Sequence, residues 1–516
     1  MPTSGYEVDT VYNHQYYPEL SPLQAQFVFL SKGLIFPDLS HGSACEIGSG
    51  KGINLVMNAA SQAGSLTWQG TEALSHLAQF SQELAQAGGV KLTIDNSNLS
   101  EFLSRKDLPG FDYIVVHDVW SFLSPAEQND LVEFIRLKLN LGGVLNISYT
   151  TSPGAVALSP IRNLAKEYNL YFIAPDAPLN ERKQELSNFL VEFLESEPEY
   201  RKINPKCVEV VQNLMEQEPG VMVRNLLHPH WNMTHFGNVL KRLDHAKLSF
   251  ASSAVLSETI NSFNLTPEQL EFLGTVKSLA LYEDTRDLIV NRGERSDLFV
   301  RGSFKYSSSQ QLSMMCLTKF VLVAVPSEIN YEINTRLGVQ KLDDEVYHAV
   351  VELLSDYKVY STQEIANALK TKLQISVEQL FFAISVLNAV GIISPALARS
   401  EIKEEAKQQC ASLNRAIVSN DSFGEVPCLA SPVIQAGVPV TAINMTLLKA
   451  YLANNNISKE ELTQYLLDIF VSTGSTITRD DQVISEPEEL RKVLAQEMIE
   501  PFFNEQLKLF KGLMLI

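Results

Sequence analysis

SACEIGSGKGINLVMNAASQA, residues 43–63, decides the fold of this 516-residue chain. A short apolar run leads into Gly48, Gly50 and Gly52, and an apolar helical pattern follows the glycines. Glycines at such places let the backbone turn tightly and approach a ligand at the start of a helix. The stretch therefore predicts a strand, a ligand-binding turn and a helix, in that order.

The same alternation of strand and helix continues to about residue 150. Four further strands are predicted, each separated from the next by an amphipathic helical stretch: LTWQGTE (66–72), VKLTIDNS (90–97), FDYIVVHDV (111–119) and VLNISY (144–149). Strands that alternate with helices indicate a parallel sheet covered on both faces. The predicted fold class is therefore α/β and Rossmann-like, over residues 1–170.

Beyond Pro153 the pattern changes, and we divide the rest of the chain into three predicted regions. Residues 171–302 are mainly helical, with frequent prolines, and KFVLVAVP suggests a small β-ribbon near 298–326. Residues 303–400 combine that ribbon with three helices, which indicates a winged-helix-like unit. Residues 401–516 are again mostly helical, with a loop-rich gap near 419–441. We find no internal repeat.

The composition is that of an acidic globular protein. Hydrophobic residues make up 45% of the chain, charged residues 20%, and the net charge is −19. A field of that sign repels phosphate backbones, and no dense run of Lys and Arg offers a local exception. Nucleic acid is therefore not an expected partner.

Cysteine use and the chain start bear on the compartment. Five scattered cysteines include no C-x-x-C pair, so neither a disulfide framework nor a zinc site is expected. The N-terminal MPTSGYEVDTVYNHQYY lacks a secretory signal pattern, and no apolar stretch approaches the ~20 residues of a membrane span. We expect a cytoplasmic protein without a membrane span.

Two acidic residues sharpen the interpretation of the glycine turn. Glu46 directly precedes the glycines, and Ile53 replaces the third glycine of the dinucleotide pattern G-x-G-x-x-G. Glu72 ends the next predicted strand, where a carboxylate can accept hydrogen bonds from both ribose hydroxyls. An acid at this place serves NAD and S-adenosylmethionine (SAM) alike, so the residues alone leave both cofactors open.

A family resemblance favours SAM. EIGSGKGINL (46–55) resembles motif I, E-x-G-x-G-x-G, of class I SAM-dependent methyltransferases. More narrowly, the chain resembles bacterial methyltransferases that carry a methyltransferase regulatory domain, a group that includes rickettsial outer-membrane protein lysine methyltransferases. The further matching segments keep the family's order and spacing: YYPELSP (16–22), HDVWSFLSP (117–125), SYTTSPG (148–154), HPHWNMTHFGNVLKRLDHAKLSFASSA (228–254) and RDLIVNRGERSDLFVRG (286–302).

The resemblance implies SAM as cofactor and a set of residues that contact it. Glu46 would lie near the amino group of SAM, and Asn98-Leu99 near adenine, with Asp95 kept as an alternative to Asn98. The full set of implied cofactor-binding residues is Glu46, Gly48, Ser49, Gly50, Asn54, Glu72, Asn98, Leu99, His117 and Asp118.

The chain also departs from the family pattern at several positions. Asp118 stands where the family usually has Gly, Thr150 replaces Asn, and Ala155 replaces a common Trp. Glu19-Leu20 stands in place of Gln-Thr. These positions lie near the expected mouth of the methyl-transfer site, so they bear on the acceptor more than on the cofactor.

Candidates for catalytic roles are Tyr17, His117, Trp120 and Tyr149. Other aromatic residues could line an acceptor channel or belong to the core: Tyr12, Tyr16 and Trp231. The histidines His228, His230 and His235 lack the Cys or acidic partners of a tetrahedral site, so no metal is expected.

The resemblance and the large C-terminal extension favour a protein lysine N-methyltransferase, with a protein of the outer membrane as one candidate substrate. Two alternatives remain open at this stage. One is a methyltransferase for a small molecule or a surface glycan, and the other is a SAM-binding scaffold without catalysis. The sequence names no clear general base.

Overall fold

The computed structural model describes residues 15–479, 482–484 and 486–516, so Tyr12 lies outside the described residues. Its central feature is a seven-stranded sheet. The strands in chain order are β1 Gly42–Ile47, β2 Leu66–Thr71, β3 Thr93–Asp95, β4 Phe111–Val116, β5 Leu139–Thr150, β6 Leu248–Ser253 and β7 Glu294–Arg301.

The strand order across this sheet is β3-β2-β1-β4-β5-β7-β6. Strands β1 to β5 are parallel, and β7 runs antiparallel between β5 and β6. Ala44, Cys45 and Ile47 of β1 are all buried, as neighbours in a strand covered on both faces should be. The α/β, Rossmann-like prediction is confirmed.

Helices cover both faces of the sheet and extend beyond it. Several of these helices begin at start signals that can be recognised in the sequence. Helix α5, for example, begins with Pro125, and Ser124 and Glu127 form a reciprocal capping box. The helices of this part are α1 Pro22–Ser31, α2 Ile53–Ser61, α3 Ser75–Ala87, α4 Leu99–Ser104, α5 Pro125–Lys138, α6 Ser152–Ala155, α7 Leu158–Phe172, α8 Leu179–Glu195, α9 Glu199–Ile203, α10 Lys206–Glu216, α11 Pro219–Leu227, α12 Phe236–Asp244, α13 Leu256–Thr259, α14 Asn261–Asn264, α15 Pro267–Gly274 and α16 Leu279–Val290.

Helices α7 to α11 form a helical subdomain, residues 158–227, between β5 and β6. It has a hydrophobic core of its own, with Leu186, Leu190, Met222 and Leu226 almost completely buried. Because that core is separate from the core under the sheet, the subdomain packs as a unit beside the carboxyl ends of the parallel strands.

Two predictions about this part of the chain differ from the structure. Strands β6 and β7 complete the sheet, so the boundary predicted at residue 170 divides a sheet that is continuous. For the same reason, the β-ribbon predicted near 298–326 does not exist as such. Its first residues, 298–301, belong to β7 in the main sheet, where the apolar run Leu298–Val300 is buried between β5 and β6, and its KFVLVAVP stretch forms a separate strand, Lys319–Leu322.

The region predicted as winged-helix-like contains α17 Ser308–Leu317, β8 Lys319–Leu322, β9 Glu332–Thr335, β10 Gly338–Lys341, α18 Glu345–Leu354, β11 Tyr360–Ser361, α19 Thr362–Leu369, α20 Val377–Ala389 and β12 Ile393–Pro395. Strand β8 lies between β11 and β12 in an antiparallel sheet. A capping box of Ser361 and Glu364 starts α19. The region therefore holds four helices beside small strands, one helix more than predicted, and its winged-helix-like character stays a prediction.

The C-terminal part contains α21 Glu404–Ser419, β13 Cys428–Ser431, β14 Ala436–Pro439, α22 Ala442–Ala453, α23 Lys459–Thr473, β15 Ile477–Arg479, β16 Gln482–Ile484, α24 Pro487–Val493 and α25 Leu507–Gly512. The gap predicted near 419–441 holds the β13–β14 hairpin, which packs on α2. The Gly437 amide donates to the Tyr16 hydroxyl at 2.8 Å. Among the described residues, no helix is long and apolar enough to cross a membrane.

A close backbone approach joins the end of β5 to the start of β7. The Gly154 amide donates to the Arg292 carbonyl at 2.8 Å, and the Thr151 amide donates to the Gly293 carbonyl at 2.8 Å. A Cβ on Gly154 would lie 2.4 Å from the Gly293 nitrogen. Only glycine fits here, so the SYTTSPG and RDLIVNRGERSDLFVRG segments meet at a contact that a side chain would break.

Substitution of this glycine tests the contact. We expect Gly154→Ala to lower the apparent thermal midpoint, because the backbone of Gly293 cannot yield as a flexible side chain does; the cost is roughly 1–3 kcal/mol. Gly274→Ala is the matched control, since a Cβ at the end of α15 meets nothing within 4 Å. Differential scanning fluorimetry that finds equal midpoints for both variants would contradict this account.

Candidate functional site

A cavity of about 440 Å³ opens at the carboxyl ends of β1, β2, β4 and β5. Parallel sheets bind ligands at this edge, where the strand order reverses. Most of the residues singled out from the sequence line it, namely Tyr17, Glu46, Gly48, Ser49, Gly50, Asn54, Glu72, Leu99, His117, Asp118 and Tyr149. The fold thus brings together residues more than 130 positions apart in the sequence.

The glycine turn forms the floor of the cavity. Gly48 and Gly52 adopt left-handed φ angles of 70° and 65°. A Cβ on Gly48 would lie 2.5 Å from Val119 Cγ2, and one on Gly52 would lie 2.4 Å from Ser81 Oγ. Both conformation and space therefore require glycine, and the backbone stays open to a ligand on the cavity side.

Glu46 places an uncompensated carboxylate beside this turn. Its side chain is only 4% exposed, and its Oε2 has no hydrogen-bond partner among the described residues. Burial raises the pKa of Glu46 to about 8. An orphaned acidic group that lines a cavity is suited to a cationic ligand, which would restore the charge that burial disfavours.

Glu72 supports the turn from the end of β2. Its Oε2 accepts a hydrogen bond from the Gly50 amide at 2.8 Å, and its Oε1 accepts one from the Leu74 amide at 2.9 Å. Burial raises the pKa of Glu72, and these two hydrogen bonds oppose that rise. Each carboxylate oxygen keeps a second lone pair with which to accept a ligand hydroxyl.

The segment before α1 closes the cavity from above. The Asn54 side chain accepts from the Tyr17 amide at 3.1 Å and donates to the Tyr17 carbonyl at 2.7 Å. The Tyr17 ring lies 4.1 Å from the His117 ring, centroid to centroid. Asn54, predicted as a cofactor contact, therefore uses its amide to hold Tyr17 in place.

His117 and Asp118 leave β4 at the mouth of the cavity. His117 Nδ1 is buried without a partner among the described residues, and burial lowers the pKa of the ring, so the imidazole is neutral near pH 7. Asp118 adopts a left-handed φ of 53°, and its amide donates to Ser148 Oγ at 2.7 Å. That conformation explains why glycine is usual here in the family; aspartate is among the side chains that tolerate it.

The wall opposite the glycine turn comes from α11 and β7. Arg224 of α11 forms an ion pair with Asp118, and its guanidinium lies 4.6 Å from the centre of the Phe122 ring. Tyr149 donates its hydroxyl to Asp297 Oδ2 at 2.6 Å. Because its hydroxyl already donates to Asp297, Tyr149 has no proton free to donate to a ligand. It contributes the face of its ring to the cavity.

Several predicted site residues have other roles. Asn98 does not line the cavity: its Oδ1 accepts from the Glu101 amide at 2.9 Å and caps α4. Trp120, a catalytic candidate, is 2% exposed in the core beneath the sheet. Tyr16 contacts Gly437, and the Trp231 ring stacks with Arg162 at 4.3 Å. Asp95, the alternative to Asn98, forms an ion pair with Arg105.

The cavity wall also contains charged residues that the sequence did not single out, among them Arg224 and Glu294. Glu294 lies within RDLIVNRGERSDLFVRG, which resembles the family, but its neighbours in the sequence form no motif that predicts a binding site. Its place follows from the pairing of β7 with β5, which a single sequence does not display.

The three histidines in the loop after α11 do not come together as a metal site. His228 Nδ1 lies 2.5 Å from the His230 carbonyl oxygen, and its ring packs edge-on against Phe122. Over the part of the chain that the structure describes, no group of three or more His, Cys, Asp or Glu side chains could hold a metal ion.

Comparison with known proteins places this geometry in a family. Residues 219–301 match the family described as "Predicted methyltransferase regulatory domain". An uncharacterised protein of Synechocystis sp. is 27% identical over 99% of this chain and 98% of its own length. An uncharacterised protein of Rickettsia prowazekii is 30% identical over 36% of this chain and 71% of its own length.

A solved structure matches along nearly the whole chain. It is PKMT2 from Rickettsia typhi in complex with AdoHcy, with a TM-score of 0.69 at 16% identity over 98% of this chain and 99% of that one. Sheet order, glycine turn and full-length likeness define the class I SAM-dependent methyltransferase fold. The chain belongs to the class I SAM-dependent methyltransferases that carry a methyltransferase regulatory domain.

The buried Glu46 carboxylate predicts a specific dependence of stability on pH. Its pKa, about 8 in the folded protein and near 4.5 unfolded, means that the folded state binds the extra proton between these values. The empty protein therefore loses stability as pH rises from about 4.5 to 8, by roughly a few kcal/mol. We expect Glu46→Gln to raise the apparent thermal midpoint relative to wild type, and more so at pH 8.5 than at pH 6.

The exposed Glu271 supplies the matched control, because Glu271→Gln makes the same charge change in contact with solvent. That variant should track the wild type at both pH values. If the midpoint of Glu46→Gln differed from that of the wild type by the same amount at pH 6 and pH 8.5, ionisation of Glu46 would not destabilise the folded protein, and the prediction would be wrong.

Proposed function

We propose that the protein transfers a methyl group from SAM to a lysine side chain of a protein acceptor. The observation that carries the cofactor assignment is the orphaned Glu46 carboxylate beside the glycine turn. The acceptor class rests on the full-length likeness to PKMT2, a protein lysine methyltransferase.

The residues of the cavity fit SAM group by group. Glu46 would bind the ammonium of the methionine moiety, and Glu72 would accept hydrogen bonds from the ribose hydroxyls. Leu99, at the start of α4, would offer an apolar contact for adenine, and the glycine turn would offer backbone amides to the ligand. Bound SAM supplies a methyl group on a positively charged sulfur, which is already an activated leaving group.

The protein's own contribution is alignment. The Tyr17 and His117 rings and the Tyr149 ring form an aromatic wall that excludes water from an incoming side chain. Holding the amine in line with the methyl group supplies much of the rate of such a displacement. The neutral His117 adds no positive charge beside the sulfonium and can accept a hydrogen bond from the amine at Nδ1.

The size of the chain supports a large acceptor. The sheet is complete at Arg301, yet helices and small sheets continue to the C-terminus. The β13–β14 hairpin of that part holds Tyr16, the neighbour of Tyr17, and so connects the C-terminal region to the roof of the cavity. A small-molecule acceptor would not need this structure. A cytoplasmic location and a protein partner remain part of this proposal.

Two ligands separate the proposed roles of the acidic residues. AdoHcy carries both an ammonium and a ribose, whereas 5′-methylthioadenosine keeps the adenosine but lacks the amino acid moiety. We expect Glu46→Gln to weaken AdoHcy binding by about 10-fold or more, since a charge-assisted contact is lost, with little effect on methylthioadenosine. Glu72→Gln should weaken both ligands.

Isothermal titration calorimetry of both variants measures this, with Glu271→Gln as the control for the charge change. If Glu46→Gln weakened both ligands equally, or neither, the carboxylate would not be the ammonium site. Binding of NADH in place of AdoHcy would contradict the cofactor assignment altogether.

Transfer itself is tested with methyl-labelled SAM and a fractionated bacterial extract that includes outer-membrane proteins. We expect label on a protein band, resolved to lysine by mass spectrometry and lost with Glu72→Ala. Label in a solvent-soluble fraction would indicate a small-molecule or glycan acceptor. AdoHcy binding without any labelled product would indicate a scaffold.

A further inference from the structure

Glu294 stands on the acceptor side of the cavity. It begins β7 and pairs with Thr150, the last residue of β5. Because β7 runs antiparallel to β5, its first residue lies at the same sheet edge as the glycine turn. The Glu294 side chain lines the cavity together with Tyr17 and His117.

Several acidic residues around the cavity have compensating partners. Asp118 is paired with Arg224, Glu258 is paired with Arg292 at 2.5 Å, and Glu72 accepts two backbone amides. Among the described residues, by contrast, no hydrogen bond or ion pair reaches the Glu294 carboxylate. Glu294 is exposed to the solvent in the cavity that it lines, so a cationic ligand can reach its carboxylate.

The charges around Glu294 define where that cation would lie. Glu294, Asp118, Glu19 and Arg224 line the same cavity as Tyr17. Burial raises the pKa of Tyr17, the three carboxylates add to that rise, and Arg224 opposes it. Partial desolvation by the surrounding protein, with the nearby Asp118, raises the pKa of Glu294, and Arg224 opposes the rise.

We propose that Glu294 binds the ε-ammonium group of the acceptor lysine and accepts the proton that this group must lose before methyl transfer. The inference rests on the proposed function and deepens it, since it assigns the proton acceptor.

The step balances in atoms and charge. An N–H bond of the ammonium breaks and an O–H bond forms on the Glu294 carboxylate, which leaves a neutral amine. The amine lone pair then forms the N–C bond, while the C–S bonding pair stays on sulfur. The positive charge passes from sulfur to the methylated nitrogen, and Glu294 later returns its proton to water.

A proton acceptor is needed because lysine is almost entirely protonated near neutral pH. With a solution pKa of about 10.4, about one lysine in a thousand is neutral at pH 7.4. A positioned general base typically contributes roughly 10²- to 10⁴-fold to the rate. We therefore expect Glu294→Gln to lower kcat/KM by about 100-fold or more at pH 7.4.

The pH profile distinguishes this role from a structural one. Wild-type kcat/KM should fall at low pH as Glu294 becomes protonated. In Glu294→Gln it should instead rise continuously toward pH 10, since only pre-formed neutral amine reacts. Glu294→Asp should restore part of the rate and the wild-type shape of the profile, and Glu271→Gln should leave both unchanged.

A binding assay provides a readout that needs no turnover. In the presence of AdoHcy, we expect the wild type to bind Nα-acetyl-lysine methylamide at least 10-fold more tightly than its uncharged isostere Nα-acetyl-norleucine methylamide. Glu294→Gln should remove that preference, and Glu271→Gln should keep it. Titration calorimetry measures both ligands against each variant.

Outcomes for this proposal and for the proposed function are separable. A wild type that prefers the lysine amide through Glu294, yet labels no protein, keeps the amine site and contradicts protein methylation. A wild type that methylates lysine while Glu294→Gln keeps its pH profile overturns the role of Glu294. The same holds if the wild type shows no preference for the lysine amide, or if Glu19→Gln changes the profile and Glu294→Gln does not.

Discussion

The two hydrogen bonds from the backbone amides of Gly50 and Leu74 to the Glu72 carboxylate are the contact on which the site depends. They tie the turn after β1 to the turn after β2, and so fix the distance between the parts of the cavity that meet the two ends of a ligand. Glycines with left-handed φ angles allow the chain to turn, and the Glu72 carboxylate stabilises the turn by accepting the hydrogen bond of the Gly50 amide. Everything above this floor is positioned against it, including Asn54 and, through Asn54, Tyr17.

The opposite wall is organised by a different principle, namely buried charge. Arg295 is 2% exposed and contacts Asp297, Asp287 and Glu283 at 2.8 to 3.0 Å. Its guanidinium also lies 4.5 Å from the centre of the Phe236 ring. A buried network of ion pairs of this kind makes a rigid backing for the cavity. Glu294, one residue before Arg295 on β7, lines the cavity and has no ion-pair partner among the described residues.

Much of this organisation could be predicted because it is local. The glycine turn, Glu46 and Glu72 lie within thirty residues, and their spacing alone implies a strand, a turn and a helix. The helix-capping role of Asn98 is also visible in the sequence, since Asn98 and Glu101 have the spacing of a capping box. Trp120 could not be placed, because a short 3₁₀ turn after β4 points its ring into the core.

The errors at a distance share one cause. Strand β7 reaches the sheet only by pairing with β5, some 150 residues earlier in the sequence. An apolar run such as Leu298–Val300 predicts burial, but it does not identify the strand or helix that the run packs against. The predicted boundary at residue 170, the misplaced ribbon and the overlooked Glu294 all follow from that missing pairing.

The late arrival of β7 also has a consequence for how the chain is made. Until Arg301 has been synthesised, β5 remains an edge strand whose unpaired backbone and apolar side chains are exposed. The helical subdomain lies between β5 and β6 in the sequence and has its own core. It can therefore fold before β6 and β7 are available to complete the sheet. An unpaired β5 edge of this kind can pair with another chain during synthesis. Strand β7 covers this edge when it pairs with β5, and it brings Glu294 to the cavity at the same time.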